Sequence, residues 1–411
     1  MYIYIKLSWR NIWRNKKRSL IVISSIGIGI FFMLITMALV NGMNYQMIDN
    51  TISTSLGHVS VHRKGFTDNV KASYSFTPEA ELYSRLNEIP EVAGWAPRVK
   101  TEGIVRSSEA SQGVMIVGID PEKEKSVSQI FQYTSTGDGS EFLKDSSAGD
   151  VLISDQLAEK LDLVIGDRLV IMLQDSSDEI SGEALTVRGV FRSPIDSFDK
   201  YVIFTGVKKL QDVMGVENRI SEISIRTVTR DDSTSVKKSV SDLLKDPEIE
   251  ALTWQEMSPS MMSAIKLYDA MMFIFFGIIF ITVIFSVANT MIMAVMERFH
   301  EIGVMKCIGT RPLNVFIMII SEAVNLGLAG MAAGLLSGVL FNTVYGIIGI
   351  DLSMFSESMR IWGTGSVVYP LIMLKDIAAS AVIVLLTAVI SAVYPAYKAA
   401  KIKPLEALNY I

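Results

Sequence analysis

The chain has 411 residues, half of them hydrophobic and one fifth charged. That is too apolar for an ordinary soluble protein of this length and too charged for one confined to a membrane, so spanning helices plus one large water-soluble part are expected. A net charge of −5 argues against general nucleic-acid binding, and the single cysteine, Cys307, rules out an internal disulfide framework.

Lys6, Arg10, Arg14, Lys16, Lys17 and Arg18 stand in the first 18 residues with no acid among them. A charge-free run from Ser19 to Met47 follows. About 20 residues at 1.5 Å each cross the hydrocarbon core, whereas the apolar part of a secretory signal is about 7–15 residues long. No small-x-small cleavage site follows the run. It reads as an uncleaved first span over 20–43, preceded by a basic cytoplasmic segment, 1–19.

From 44 to 269 the pattern changes to short runs with β-branched content and alternation. Strands are expected at Gly57–Arg63, Gln112–Asp120, Gly166–Leu173, Ala184–Phe191, Tyr201–Thr205 and Arg219–Val228, and helices at Ser154–Leu161 and Thr234–Leu244. The Ser/Gly/Asp-rich stretch Tyr133–Ala148 reads as a loop. This is an α+β domain, of one body or two lobes.

Three further apolar runs follow, giving spans at 270–295, 316–348 and 375–397, a connector at 296–312, a loop at 349–374 and a tail at 398–411. Arg298, Lys306 and Arg311 lie in the connector and Lys398, Lys401 and Lys403 in the tail. With four spans these cations share a side with the basic start, which places that side in the cytoplasm. The loop 349–374 then faces outward with Arg360 as its only cation. The expected fold class is a multi-pass membrane protein: four transmembrane α-helices with a large α+β extracytoplasmic domain inserted between helices 1 and 2.

Catalytic motifs are missing. There is no G-x-x-x-x-G-K-[ST] phosphate loop, no G-x-S-x-G elbow and no H-E-x-x-H helix; His300-Glu301 lacks the second histidine. His58 and His62 share a strand face with Ser60, which reads as a solvated face, since two ligands do not make a metal site. Cys307 beside Lys306 has no plausible base and reads as a small packing residue. No catalytic or metal-ligating residue is expected.

Three features are less generic. In the connector, Val295, Phe299, Ile302 and Met305 fall on one helical face, with Glu297, Arg298, Glu301 and Lys306 elsewhere and Gly309 and Pro312 beyond. Such a helix fills a groove on a partner or lies on lipid, and physics alone does not choose. In the third span, Gly330, Gly334 and Gly338 make a small-xxx-small stripe for close helix packing. Methionines gather at the outer borders of the first two spans: Met43 and Met47 after the first, then Met257, Met261, Met262, Met271 and Met272 around the start of the second. Met257, Met261, Ile265, Tyr268 and Met272 make one helical face if Pro259 falls in the first turn. The plain reading is packing; the sharper one is a lateral access route for acyl chains at the outer leaflet. Glu322, about two turns into the third span, reads as snorkelling or as a structural hydrogen bond rather than a proton relay.

The basic start "LSWRNIWRNKKRS", the connector "ERFHEIGVMKCIGTRP" and the tail "YPAYKAAKIKPLEAL" (Tyr394–Leu408) together resemble the permeases of the MacB/FtsX superfamily of ABC transporters. Within it, "LGHVSVHRKGF" and "VMIVGIDPEKE" look like the lipoprotein-releasing permeases of the LolC/LolE type. The resemblance implies two paired permease subunits, alike or different, working with a dimer of a separate cytoplasmic ABC ATPase that binds ATP and Mg; this chain itself binds no cofactor. It makes Glu297, Arg298, Glu301, Ile302, Gly303, Lys306 and Gly309 the segment seated on that ATPase. It also implies long helices that carry the stroke outward, membrane lipid and a periplasmic lipoprotein carrier as further partners, and the bacterial inner membrane as the location. The carrier-binding hook of one lipoprotein-releasing subunit type has no identifiable counterpart here. The alternatives are a MacB-like export permease for peptides, antibiotics or other amphiphiles, although MacB carries a fused ATPase and this chain does not, and an FtsX-like regulator of cell-wall hydrolases.

Overall fold

A computed structural model describes residues 10, 14–134 and 148–403. Most of the expected loop Tyr133–Ala148 and the end of the tail motif, beyond Lys403, lie outside the described residues, as does Lys6. The described chain forms two compact units. One draws on residues up to Asn44, Ile265–Asp351 and Val367 onward; the other comprises Tyr45–Ala264 and Leu352–Ser366.

Among the described residues, four helices are long and apolar enough to cross a membrane. They are α1 (Lys16–Thr51), α6 (Pro259–Glu297), α8 (Pro312–Ile348) and α10 (Leu374–Ala400). In the helical unit α8 packs between α1 and α10. Its glycines remove the bulk that would hold the helices apart. A Cβ placed on Gly330 would lie 2.8 Å from Ile26 Cβ, one on Gly334 2.6 Å from the Gly27 carbonyl oxygen, and one on Gly338 2.8 Å from Leu34 Cδ1. The predicted stripe therefore packs within the chain, against α1. On the side of α10 the fit is made by alanine: a Cβ on Gly327 would meet Ala388 Cβ at 2.8 Å. Ala388, Ala392, Ala396 and Ala399 are all fully buried. By contrast, α6 turns Phe273, Ile274 and Phe285 outward.

The second unit is built on a nine-stranded sheet: β1 (Val59–Arg63), β2 (Val92–Arg106), β3 (Ser111–Ile119), β4 (Asp150–Ser154), β5 (Arg168–Gln174), β6 (Ile180–Phe191), β7 (Val202–Gly206), β8 (Glu222–Thr227) and β9 (Ile249–Thr253). Strand β2 is the hub. Its second half pairs with both β3 and β5, so β2, β3, β7, β4, β6 and β5 close into a ring. Closure removes the open edges that would otherwise seek another strand. Alternate side chains, among them Val105, Val114, Ile116, Ile153, Ile171 and Leu185, fill the inside and are buried. The first half of β2 leaves the ring and pairs with β8, which leads on to β1 and β9. Helices α2 (Ala80–Glu88), α3 (Asp155–Leu161), α4 (Val207–Met214) and α5 (Ser233–Leu243) supply Leu86, Leu157, Leu210 and Val240 to the same core.

Six predicted strands and both predicted helices are present with small boundary shifts, whereas β2, β4 and β9 were not expected. The histidines correct the reading of a solvated face. His62 is 1% exposed and His58 is 8% exposed. His58 Nδ1 accepts a hydrogen bond from the Thr227 amide at 3.1 Å. Burial, with Arg226 nearby, pushes His58 down to about 4.

Residues 352–366, expected in a separate loop, belong to this α/β unit. Their short helix α9 (Ser356–Ile361) brings Arg360 to the carboxylate of Asp199, which is fully buried. Asn50 Nδ2 donates to the Gly363 carbonyl at 2.8 Å and ties down the other side of the same segment.

Candidate functional site

Two places in the helical unit bring the predicted site residues together. The first is the connector. Helix α6 stops at Glu297; Arg298, at φ −109° and ψ 18°, breaks the spiral; α7 (Phe299–Cys307) follows. Gly309, at φ +99°, makes the turn that a side chain would strain, and Pro312 opens α8 where no amide hydrogen is needed.

The apolar face Val295–Phe299–Ile302–Met305 goes neither into a partner's groove nor onto lipid. Val295 and Ile302 are buried at 2% exposure, and Phe299 and Met305 pack on the same core of helix side chains. This corrects both expectations, and the reason is local: the kink at Arg298 folds α7 back so that its apolar side completes the chain's own bundle. Gly303 is buried with it.

The charged residues are also engaged within the chain. Arg18 pairs with Glu297, and Arg14 with Glu301. Arg298 reaches Glu301 at 3.4 Å and Glu322 at 3.2 Å, so Glu322, 6% exposed inside α8, has a counter-charge as a structural partner. The hydrogen bond from Arg14, helped by Arg298, holds the Glu301 carboxyl below its ordinary range. Lys306 Nζ donates to the carbonyls of Ala400 at 2.9 Å and Ile402 at 2.6 Å, where the end of α10 leaves acceptors unsatisfied. The connector thus ties together the start of α1, the kink, α8 and the end of α10. Glu297 and His300 are exposed along it, and at its far end so are Cys307, Ile308 at 81% exposure, Gly309, Arg311, Pro312 and Leu313 at 65%. Cys307, read as a packing residue, is exposed. The sequence reading missed Ile308 and Leu313; their isolation beside Gly309 and Pro312 was the available signal.

The second place is a groove of about 610 Å³ between α1, α6 and α10. Its walls carry Met33 and Met37 from α1, Met272 and Phe276 from α6, and Ile383 and Leu386 from α10. Its mouth is polar, with Asn41, Asp269, Lys375 and Asp376. Asn41 Nδ2 donates to Asp376 Oδ2 at 2.7 Å and holds one side of that mouth. Of the residues predicted for lipid access only Met272 lines this groove. Met43, Met47, Met261, Ile265 and Tyr268 are half-buried and do not line it. Met257 belongs to a separate turn, Trp254–Met257, because the chain breaks at Ser258 before Pro259 opens α6; it is not on the helical face expected. Met33 and Met37, one turn apart and inside the apolar run, were missed because depth in the membrane does not reveal which face is open.

Among the described residues no group of three or more His, Cys, Asp or Glu side chains is placed to hold a metal.

The sequence matches the MacB-like periplasmic core domain over residues 19–243 and the FtsX-like permease C-terminal domain over 273–404. It is 22% identical over 403 residues to the lipoprotein-releasing system transmembrane protein LolC of Xylella fastidiosa, covering 95% of this chain and 94% of that one. It is 21% identical over 427 residues to the LolE protein of Haemophilus influenzae, covering 98% of each. The macrolide export ATP-binding/permease protein MacB of Chlorobium luteolum is 22% identical over 99% of this chain and 60% of its own length.

Proposed function

We propose a function from the premise that this chain belongs to the family of permeases defined by the MacB-like periplasmic core domain, which it matches over more than half its length. It is the membrane subunit of an ATP-driven transporter that lifts acylated proteins from the outer leaflet of a bacterial inner membrane. The reading rests on the groove between α1, α6 and α10. Its apolar walls suit acyl chains, and its polar mouth of Asn41, Asp269, Lys375 and Asp376 suits the hydrogen-bonding group that carries them. Full-length similarity to LolC and LolE proteins supports the same substrate class.

Four helices cross the membrane. The cations of the connector, Arg298, Lys306 and Arg311, share the cytoplasmic side with the basic start and the tail, and the α/β unit faces outward. ATP and Mg act on a separate ATPase pair, and two permease subunits assemble with it. The ATPase seats on the exposed rim Cys307–Leu313. The ion pairs behind that rim, Arg14–Glu301, Arg18–Glu297 and Arg298–Glu322, pass its displacement to the helices. Helices α1 and α6 have 36 and 39 residues, well beyond the roughly 20 needed to cross. The mechanical work is a stroke on the outward domain, which passes the substrate to a periplasmic carrier.

A second reading, export of peptides or other amphiphiles, is favoured by the match to MacB. Depletion followed by membrane fractionation separates the two. Lipoproteins stranded in the inner membrane support the first; normal lipoprotein sorting with hypersensitivity to amphiphilic drugs supports the second and refutes the first.

A further inference from the structure

We propose that the α/β unit carries a second binding site, a cleft of about 280 Å³ that takes an uncharged, extended peptide segment bearing an apolar side chain. It rests on the transport reading in one respect: the peptide is the stretch that follows the substrate's acyl anchor.

The floor of the cleft is one sheet face shared by five neighbouring strands, and it is divided in two. Met115 and Val117 of β3, paired with Val202 and Phe204 of β7, make an apolar half. The register sets Val117 opposite Lys100, Arg98 opposite Glu222, and Glu222 opposite His62, so the face turns polar across β2, β8 and β1. Phe198, Tyr201 and Met257 also line the cleft.

The charges in the polar half are closed on themselves. Arg98 meets Glu124 through Nη2 at 2.6 Å and Nε at 3.1 Å, and Glu222 through Nη1 at 3.2 Å. Lys100 Nζ meets Glu222 at 2.6 Å. Two cations face two carboxylates, so an ionised ligand would lose its water and find no counter-charge. Burial also pushes His62 below its ordinary value, and the ring is neutral.

Hydrogen-bonding capacity is nevertheless left over. Thr54 Oγ1, on a residue 1% exposed, and His62 Nε2 line the cleft and have no hydrogen-bond partner; the nearest carboxylate to Nε2 is Glu250 at 3.9 Å. Buried polar groups without partners call for an occupant. A hydroxyl and a neutral imidazole both offer a donor and an acceptor, which suits the N–H and C=O of a peptide. The ester head of an acyl lipid only accepts. The same face of β2 continues past Glu102 to Ile104, 48% exposed, with Met172 opposite it, and Val170, 40% exposed, lies opposite Arg106. Ile104, Met172 and Val170 give an extended chain apolar footholds beside Glu102 and Arg106 on its way to the cleft.

The test uses the full permease, assembled with its ATPase and partner permease in nanodiscs. A benzophenone amino acid replaces Tyr201 at the cleft or Met272 in the membrane groove. The probes are a synthetic triacylated cysteinyl hexapeptide of uncharged residues, the same lipopeptide with two aspartates, and a diacylglycerol without peptide, its free hydroxyl capped as an acetate ester. Capture of the uncharged lipopeptide at Tyr201, at least tenfold above the aspartate version and the diacylglycerol, is expected. Thr54→Val, which keeps the shape, should reduce that capture about fivefold while capture at Met272 is unchanged. Silence at Tyr201, or equal capture of all three probes, overturns the peptide site whatever Met272 does. Capture at Tyr201 with silence at Met272 keeps the cleft and overturns the membrane-groove reading instead.

Discussion

Replacing Gly334 with alanine tests how the membrane helices are held together. The new Cβ would lie 2.6 Å from the Gly27 carbonyl oxygen and 2.7 Å from Ile30 Cβ. Ordinary contact begins near 3.4 Å, so α1 must retreat by 3.4 − 2.6 = 0.8 Å. Neither obstacle can swing aside, because one is backbone and the other is the root of a β-branched side chain. Overpacking of this kind costs about 1–3 kcal/mol, and the upper half of that range is expected here. Gly338→Ala meets Leu34 Cδ1 at 2.8 Å, the far end of a flexible side chain, and Leu34 Cβ only at 3.2 Å, so it should cost less than Gly334→Ala, about 1 kcal/mol. Gly277→Ala in α6 meets nothing within 4 Å and gains helix propensity, so it should be neutral or slightly stabilising. Thermal unfolding of the three variants in one detergent should rank them Gly334→Ala, Gly338→Ala, Gly277→Ala from least to most stable. If Gly334→Ala melts together with Gly277→Ala, the close packing of α8 on α1 is wrong.

Further outcomes follow from the same contacts. Arg98→Met strands the buried carboxylate of Glu124, while Glu222 keeps Lys100, and should lower the stability of the α/β unit by about 3–5 kcal/mol in urea unfolding read by Trp95 fluorescence; adding Glu124→Leu should recover most of it, and no recovery would discount the charge argument. Burial raises the Asp199 carboxyl to about 6 despite Arg360. Between pH of about 4 and 6 the folded chain keeps a proton that the unfolded chain has released, so stability falls as pH rises through that window, by up to about 3 kcal/mol. Asp199→Asn should flatten that slope, and an unchanged slope would assign it elsewhere. Ile308→Asp should leave folding intact, since the side chain is 81% exposed, yet weaken co-purification of the ATPase at least tenfold. Retained co-purification would move the docking rim away from Ile308.

The sequence made some of this legible and concealed the rest for physical reasons. The strand that alternates cleanly, "ALTVRGVF", is visible because one of its faces is core. Strand β2 is hidden. Pro97, Gly94 and Gly103 interrupt it, and Arg98, Lys100 and Glu102 line its outer face. These residue types read as loop until it is known that two of the charges are neutralised by Glu124 and Glu222, 26 and 124 residues further along. Ring closure depends on β2 pairing with two strands at once, which no local pattern encodes. At the connector the apolar face was legible but not its destination. Arg14 and Glu301 lie 287 residues apart in the chain, and Arg298 and Glu322 lie 24 apart. Of the methionine cluster only Met272 lines the groove between α1, α6 and α10, because composition shows depth and not which face is left open.

The most direct test is ATP-driven release of a triacylated protein from proteoliposomes that hold this permease, its partner permease and their ATPase. The wild-type assembly should release the protein to a soluble acceptor only while ATP is hydrolysed. The Ile308→Asp assembly should still capture it through a crosslinker at Met272 but release none. Release that proceeds without ATP, or that is undiminished in the Ile308→Asp assembly, would contradict the idea that force enters at the connector and leaves as a stroke of the outward domain on a substrate held in the groove.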